Sequence, residues 1–218
     1  MQTLTLPQKS TAPLKVLCLG AHSDDIEIGC GGFLLELLER YPRAEVDWVV
    51  FSAQVERERE ARRSAALYLK RARRSRVAVH HYKDGFFPYD SEIKSVFEDL
   101  KRQVSPDLVL THYRDDRHQD HRVLSDLAWN TFRNHLVLEY EIPKFDGDLG
   151  TPNFFVPLKR TTCARKVKYL NDAFGTQRDK HWFSEATFMG LMRLRGMECR
   201  AADGYAEAFY ARKITIGF

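Results

Sequence analysis

Five short, mostly apolar runs, at residues 15–20, 45–53, 77–82, 107–111 and 136–140, alternate with helical patterns at about residues 31–40, 55–74, 91–104 and 121–134. Strands alternating with helices read as βαβ units built around a parallel sheet. The first four runs are nearly all apolar, as expected of strands covered by helices on both faces. The reading is a single-domain α/β protein with an open, doubly wound, Rossmann-like, mostly parallel sheet and helices on both faces. A chain of 218 residues with 44% hydrophobic and 29% charged residues can bury such a core as one domain over residues 1–218. Residues 1–13 carry no such pattern and are expected to form a flexible or loosely packed lead.

Residues 141–160 break the rhythm. Pro143, Gly147, Gly150, Pro152 and Pro157 punctuate a segment that also holds Phe145, Phe154 and Phe155, so it reads as a long loop, and loops of that length in compact domains usually serve a function. Helical patterns follow at 161–174 and about 184–195, and Lys213 to Phe218 alternates like an edge strand.

No apolar run reaches membrane-spanning length and the N-terminus has no basic stretch followed by an apolar one, so a cytoplasmic location is expected. Cys18, Cys30, Cys163 and Cys199 show no CxxC spacing and read as structural thiols. A net charge of +4 does not by itself imply a nucleic-acid partner. The basic run from Arg57 to Arg76 interleaves with Glu56, Glu58 and Glu60, and Ala61, Ala65, Leu69 and Ala72 recur at helical spacing. It reads as a solvated amphipathic helix, with no nucleic acid expected as partner.

The chemistry gathers in Gly20-Ala21-His22-Ser23-Asp24-Asp25-Ile26-Glu27 and His118-Gln119-Asp120-His121, placed just after the first and fourth strand-like runs. In open α/β sheets ligands bind beyond the carboxyl ends of the strands, where strand order reverses. Helix capping by Asp24 or Asp25 and by Asp120 explains one carboxylate per loop. It does not explain two histidines and two further acids. A catalytic zinc takes three protein ligands and keeps a position for water, which such a set can supply. Two His and one carboxylate also suit a non-haem iron oxygenase, and a non-catalytic nucleic-acid-binding module is the third alternative. Gly29-Cys30-Gly31-Gly32 lacks the GxGxxG spacing of a dinucleotide site and reads as close packing of a helix start, not as a phosphate cradle. Residue chemistry alone leaves open which of Asp24 and Asp25 does what.

The two clusters resemble the AHPDDxE and HxDH signatures of the PIG-L/LmbE-like deacetylases, with Ser23 where proline is usual. Asp84-Gly85, Ser105 to Thr111 and Tyr205-Ala206-Glu207-Ala208-Phe209 are similar to the same pattern. The resemblance implies that His22, Asp25 and His121 hold the metal, Zn²⁺ with Fe²⁺ as the other option. It implies that Asp24 is the general base and that His118 assists as a cation oriented by Asp120. It also implies an Arg-x-x-Glu pair, Arg57 and Glu60, near the substrate pocket. The implied activity is removal of an N-acetyl group from an amino sugar carried by a larger conjugate: a nucleotide sugar, glycolipid, polysaccharide precursor or sugar-containing metabolite. Two departures stand out. The family's HxSQ segment is matched only by Phe174-Gly175-Thr176-Gln177, without the histidine, and the loop after the second strand is reduced to Ser52-Ala53-Gln54-Val55. Phe154 and Phe155 are candidate substrate-binding residues, because aromatic rings stack on the apolar faces of sugars.

Overall fold

The computed structural model describes residues 2–5 and 12–215. Its seven strands are β1 (Lys15–His22), β2 (Glu45–Ser52), β3 (Arg74–Val79), β4 (Leu108–His112), β5 (Leu136–Tyr140), β6 (Phe154–Leu158) and β7 (Tyr205–Ala211). Six α-helices accompany them: α1 (Asp25–Arg40), α2 (Val55–Tyr68), α3 (Glu92–Gln103), α4 (Gln119–Thr131), α5 (Arg160–Ala173) and α6 (Glu185–Glu198). All seven strands form one sheet in the order β3-β2-β1-β4-β5-β7-β6. The first five are parallel, and β7 runs antiparallel to both its neighbours.

The period-2 pleat of β1 shows why helices are needed on both faces. Val16 and Cys18 join the core under α1, α2, α5 and α6, whereas Leu17, Leu19 and Ala21 join the core under α3 and α4. After β1 the chain winds outward to β3, then crosses back to place β4 on the other side of β1. The strand order therefore reverses between β1 and β4, and the crevice at their carboxyl ends is where this fold binds ligands.

Helix α1 opens at Asp25, not near residue 31, and α2 ends at Tyr68, not near residue 74; three strand regions also depart from the sequence reading. Residues Phe154–Leu158, read as loop, form the edge strand β6, and Pro157 is tolerated there because an edge strand need not donate every backbone N–H. The last strand is Tyr205–Ala211, interior to the sheet, whereas residues 213–215 are irregular and 216–218 lie outside the described residues. Strand β3 begins three residues earlier than its apolar run, since on the exposed edge Arg74 and Arg76 can alternate into water. The expected loose lead at 1–13 falls mostly outside the described residues. Among the described residues no helix is long and apolar enough to cross a membrane.

The glycines of α1 are packing devices. A side chain at Gly31 would strike the Tyr68 ring, and one at Gly32 would strike Leu158 and Glu207. The helix is broken at Cys30 (φ −143°, ψ 16°), and the N–H groups freed there are taken by the Glu207 carboxylate, from Gly32 at 2.8 Å and Phe33 at 2.6 Å. Glu207 in turn pairs with Lys166 at 2.6 Å, and both side chains are buried. The basic run likewise spends much of its charge within the chain: Arg62 pairs with Glu58, Arg71 with Glu39 and Arg76 with Asp47.

Candidate metal centre

Strand β1 ends on His22 and the first turn of α1 follows at once, so Asp25 folds back and accepts the His22 N–H at 2.6 Å. Strand β4 ends on His112, and a short loop leads to α4, whose first turn carries His121. The adjacency of β1 and β4 brings these segments together. His22 Nδ1 lies 3.3 Å from Asp25 Oδ2 and 3.2 Å from His121 Nε2, and His121 Nε2 is 3.6 Å from Asp25 Oδ2. Ligands about 2.1 Å from a tetrahedral zinc stand about 3.4 Å from one another. The triangle fits a metal ion of that kind.

The electrostatics agree. Burial, with His112 beside it, pushes the His121 imidazole down to about 4, so the ring is neutral near pH 7, the form that binds metal. Burial opposes charge on Asp25, but His121, His112 and His22 outweigh it and hold the carboxyl well below its usual range. At His22 the cost of burial is overcome by Asp25, Asp120 and Asp84, which raise its pKa well above the usual value. The pocket favours positive charge, and a metal held there would take the place of that proton. Other donors adjoin the triangle: ligand atoms of His22, His118 and His121, and of Asp25, His112 and His121, fall within 4.8 Å of one another.

Two residues that the motif reading did not single out support the ligands. Asp116 Oδ2 lies 2.9 Å from His121 Nδ1 and is itself held by Lys144 at 3.0 Å. This is the carboxylate–histidine arrangement that fixes the tautomer of a metal-bound imidazole. Its signal was the second carboxylate in Asp116-Arg117-His118-Gln119-Asp120-His121. His112 is fully buried and stacks on His121 with ring centroids 3.9 Å apart, while Ala21 N–H donates to its Nε2 at 3.0 Å. A histidine at the end of an apolar strand carries no sequence sign of this contact.

Asp24 is buried beside the triangle. Its Oδ1 accepts from Arg57 at 2.6 Å, and Arg57 Nε also donates to Ser23 Oγ at 2.9 Å. Burial raises the Asp24 carboxyl above its usual pKa, with Arg57 restraining the rise. Glu60, one turn after Arg57, accepts from the backbone N–H and hydroxyl of Thr176. Phe174, where the family pattern has histidine, is fully buried and packs its ring on Phe183 at 6.3 Å. That position is core in this chain.

His118 and Asp120 differ from the expected arrangement. Asp120 accepts from the N–H groups of Gly85 at 2.7 Å and Phe87 at 3.2 Å and comes within 3.5 Å of His22 Nε2, with a carboxylate oxygen also within 4.8 Å of a His118 ring nitrogen. His118 caps α4 instead, its Nδ1 accepting from Asp120 N–H at 3.3 Å. That bond needs a lone pair on Nδ1, and burial together with His22 lowers the His118 pKa. Both favour the neutral form of the ring over the cation that the resemblance implies. Phe154 and Phe155 are also elsewhere. Strand β6 is four places from β1 in the sheet, about 19 Å at ~4.8 Å per strand, and Phe154 packs on Phe209 at 6.4 Å. The preceding loop does reach the centre, through Lys144 and through Asp148, which accepts the Arg117 N–H at 2.7 Å.

The donor set and its place at the switch point fit a metal-dependent α/β enzyme. Residues 17–132 match the family model described as PIG-L, GlcNAc-PI de-N-acetylase, and the chain belongs to that family. Among solved structures it resembles N,N'-diacetylchitobiose deacetylase from Pyrococcus horikoshii, with a TM-score of 0.71 and 21% identity over 91% of this chain and 83% of that one. It also resembles 4-carboxy-2-hydroxymuconate hydratase (GalB) from Pseudomonas putida KT2440, with a TM-score of 0.70 and 17% identity over 94% and 99% of the two chains. A third likeness is to the antimicrobial A40926 pseudoaglycone deacetylase, with a TM-score of 0.67 and 14% identity over 94% and 100%. At these identities the likenesses establish the fold. No curated protein sequence matches the chain.

Proposed function

We propose that the protein is a zinc-dependent hydrolase that removes the N-acetyl group from an amino sugar within a larger conjugate, acting in the cytoplasm. The observation that carries this reading is the triangle of His22 Nδ1, Asp25 Oδ2 and His121 Nε2 with the buried carboxylate of Asp24 beside it. Family membership supports amide hydrolysis, as do two relatives named as deacetylases. The hydratase among the relatives shows why fold alone does not choose the reaction.

His22, Asp25 and His121 would hold the ion. A divalent metal there supplies a water of lowered pKa and polarises the amide carbonyl. Asp24 takes the proton from the attacking water, a task suited to a carboxyl whose pKa burial has raised. It then returns that proton to the nitrogen as the C–N bond breaks. Arg57 fixes the orientation of Asp24 and has its own side chain partly open to the substrate side. His118 offers its Nε2–H to the oxygen that gains charge.

The test is acetate release from a panel of N-acetylated amino-sugar conjugates by protein stripped with chelator and reloaded with Zn²⁺ or Fe²⁺. Both ions are needed, because one structural relative, a teicoplanin deacetylase, is described in a zinc-inhibited form. Chelation should abolish activity and one ion restore it. His22→Ala, Asp25→Ala and His121→Ala should lose the metal, whereas Asp24→Asn should keep it and lose roughly 10²–10⁴-fold in rate. Chelator-resistant acetate release, or an active Asp24→Asn protein, would overturn the reading.

A further inference from the structure

Of nine large apolar side chains left exposed among the described residues, five follow strands β2, β3 and β5 at the carboxyl edge of the sheet, Val55 as the first residue of α2. Val55, 70 % exposed, follows β2; Phe86 (46 %) and Tyr89 (84 %) follow β3; Phe145 (70 %) and Leu149 (42 %) follow β5. Each therefore lies at the carboxyl edge of the sheet, around the crevice between β1 and β4. Phe86 and Tyr89 touch one another there, and exposed apolar side chains in mutual contact are seldom left without something to cover them.

Phe86 is tied to the centre by its own backbone. Gly85 and Phe87, on either side of it, both donate to the Asp120 carboxylate, which lies 3.5 Å from His22 Nε2. Phe87 turns inward and stacks 6.2 Å from the His22 ring. Phe86 turns to solvent, meeting the Tyr89 ring edge-on at 6.4 Å, with Lys83 Nζ 3.6 Å from its centroid. Across the crevice Lys144 reaches in to Asp116, and Phe145 beside it stands outward against His181 at 4.8 Å.

The site thus has two zones. The inner wall is charged: Asp84, 3.0 Å from His22 Nε2, with Arg57 and Lys144. Sugar hydroxyls find partners there. Beyond it the rim is apolar. With the acetamido group at the metal and the sugar ring against the charged wall, the next part of the substrate falls on the rim. We propose that the rim binds an apolar group, alkyl or aryl, attached to the amino sugar, with Phe86 and Tyr89 as the residues that set this specificity. The proposal rests on the deacetylase reading for the orientation of the substrate, but the rim can be tested apart from it.

The experiment compares methyl, phenyl and octyl N-acetyl-β-D-glucosaminides as ligands of the metal-loaded protein, by calorimetric binding and by acetate release. The wild-type protein should prefer the phenyl and octyl glycosides over the methyl glycoside by about tenfold in Kd and in KM, since an apolar group leaves water on binding. In the double variant Phe86→Ala/Tyr89→Ala that ratio should fall to within about twofold, and Phe86→Leu/Tyr89→Leu should restore most of it, because the rim regains apolar surface. Loss of the binding preference in the alanine variant, with no acetate released from any glycoside, would uphold the rim and sink the deacetylase reading. Equal binding of methyl and octyl glycosides by the wild type, or a preference that survives the double variant, overturns the proposal. So does sedimentation of the wild type with phosphatidylcholine vesicles without any glycoside preference, which would assign the rim to a membrane surface.

Discussion

The ring of Tyr140 fills the space in which any side chain at Gly29 would have to stand. Tyr140 is fully buried, donates its hydroxyl to the Leu19 carbonyl at 2.6 Å and packs on His112 at 4.8 Å. Gly29→Ala must push this ring toward the histidines. It should destabilise the protein by about 1–3 kcal/mol in urea denaturation and weaken metal binding as well. Gly190→Ala is the control: its added methyl meets nothing within 4 Å in α6, so it should be neutral or stabilising by up to about 1 kcal/mol.

Asp116 receives the proton on His121 Nδ1, and that bond keeps Nε2 free for metal. Asp116→Asn should leave the fold intact and lower metal affinity roughly 10–100-fold, the usual effect of losing such a partner. Competition against a chromophoric chelator measures it. Unchanged affinity would mean that Asp116 serves Lys144 alone.

The convergence of His22, Asp25 and His121 is legible because motif and topology coincide: the adjacency of β1 and β4 in the sheet brings the ends of both strands together. What surrounds them was not legible. His112 sits in a run whose period only says buried, and its stacking on His121 depends on how α4 tilts over β4. The cap at His118 was missed because the spacing of Asp120 suggests a side-chain partner, whereas the backbone N–H makes the contact. Phe154 and Phe155 read as loop aromatics because Pro157 masks an edge strand, and Phe87, which stacks on His22, lies in a short turn without periodicity.

Arg57 holds Ser23 and Asp24 with two nitrogens of one planar group. A lysine cannot bridge both. Arg57→Lys should keep metal content and thermal stability and lower kcat, by about tenfold if the bridge contributes about 1.4 kcal/mol. A fall in metal content would move Arg57 from aligning the base to shaping the whole loop.

Lys166 and Glu207 form a buried ion pair whose acid also receives two backbone N–H groups and whose base donates to the Ile28 carbonyl at 2.6 Å. Lys166→Met leaves that carboxylate without its counter-charge in the interior. The expected cost is about 3–5 kcal/mol in urea denaturation. A loss below about 1 kcal/mol would show that the N–H groups of Gly32 and Phe33 suffice to hold the charge.

The break in α1 at Cys30 also bears on the order in which the protein can be made. His22, Asp25 and His121 have all left the ribosome once His121 has emerged, yet the carboxylate that closes the broken helix lies 175 positions after Gly32, on a strand inserted between β5 and β6. Until that strand arrives, the N–H groups of Gly32 and Phe33 at the break lack their carboxylate partner. A nascent chain can thus carry His22, Asp25 and His121 on an unfinished scaffold, and the helix that bears Asp25 is completed only when Glu207 has joined the sheet.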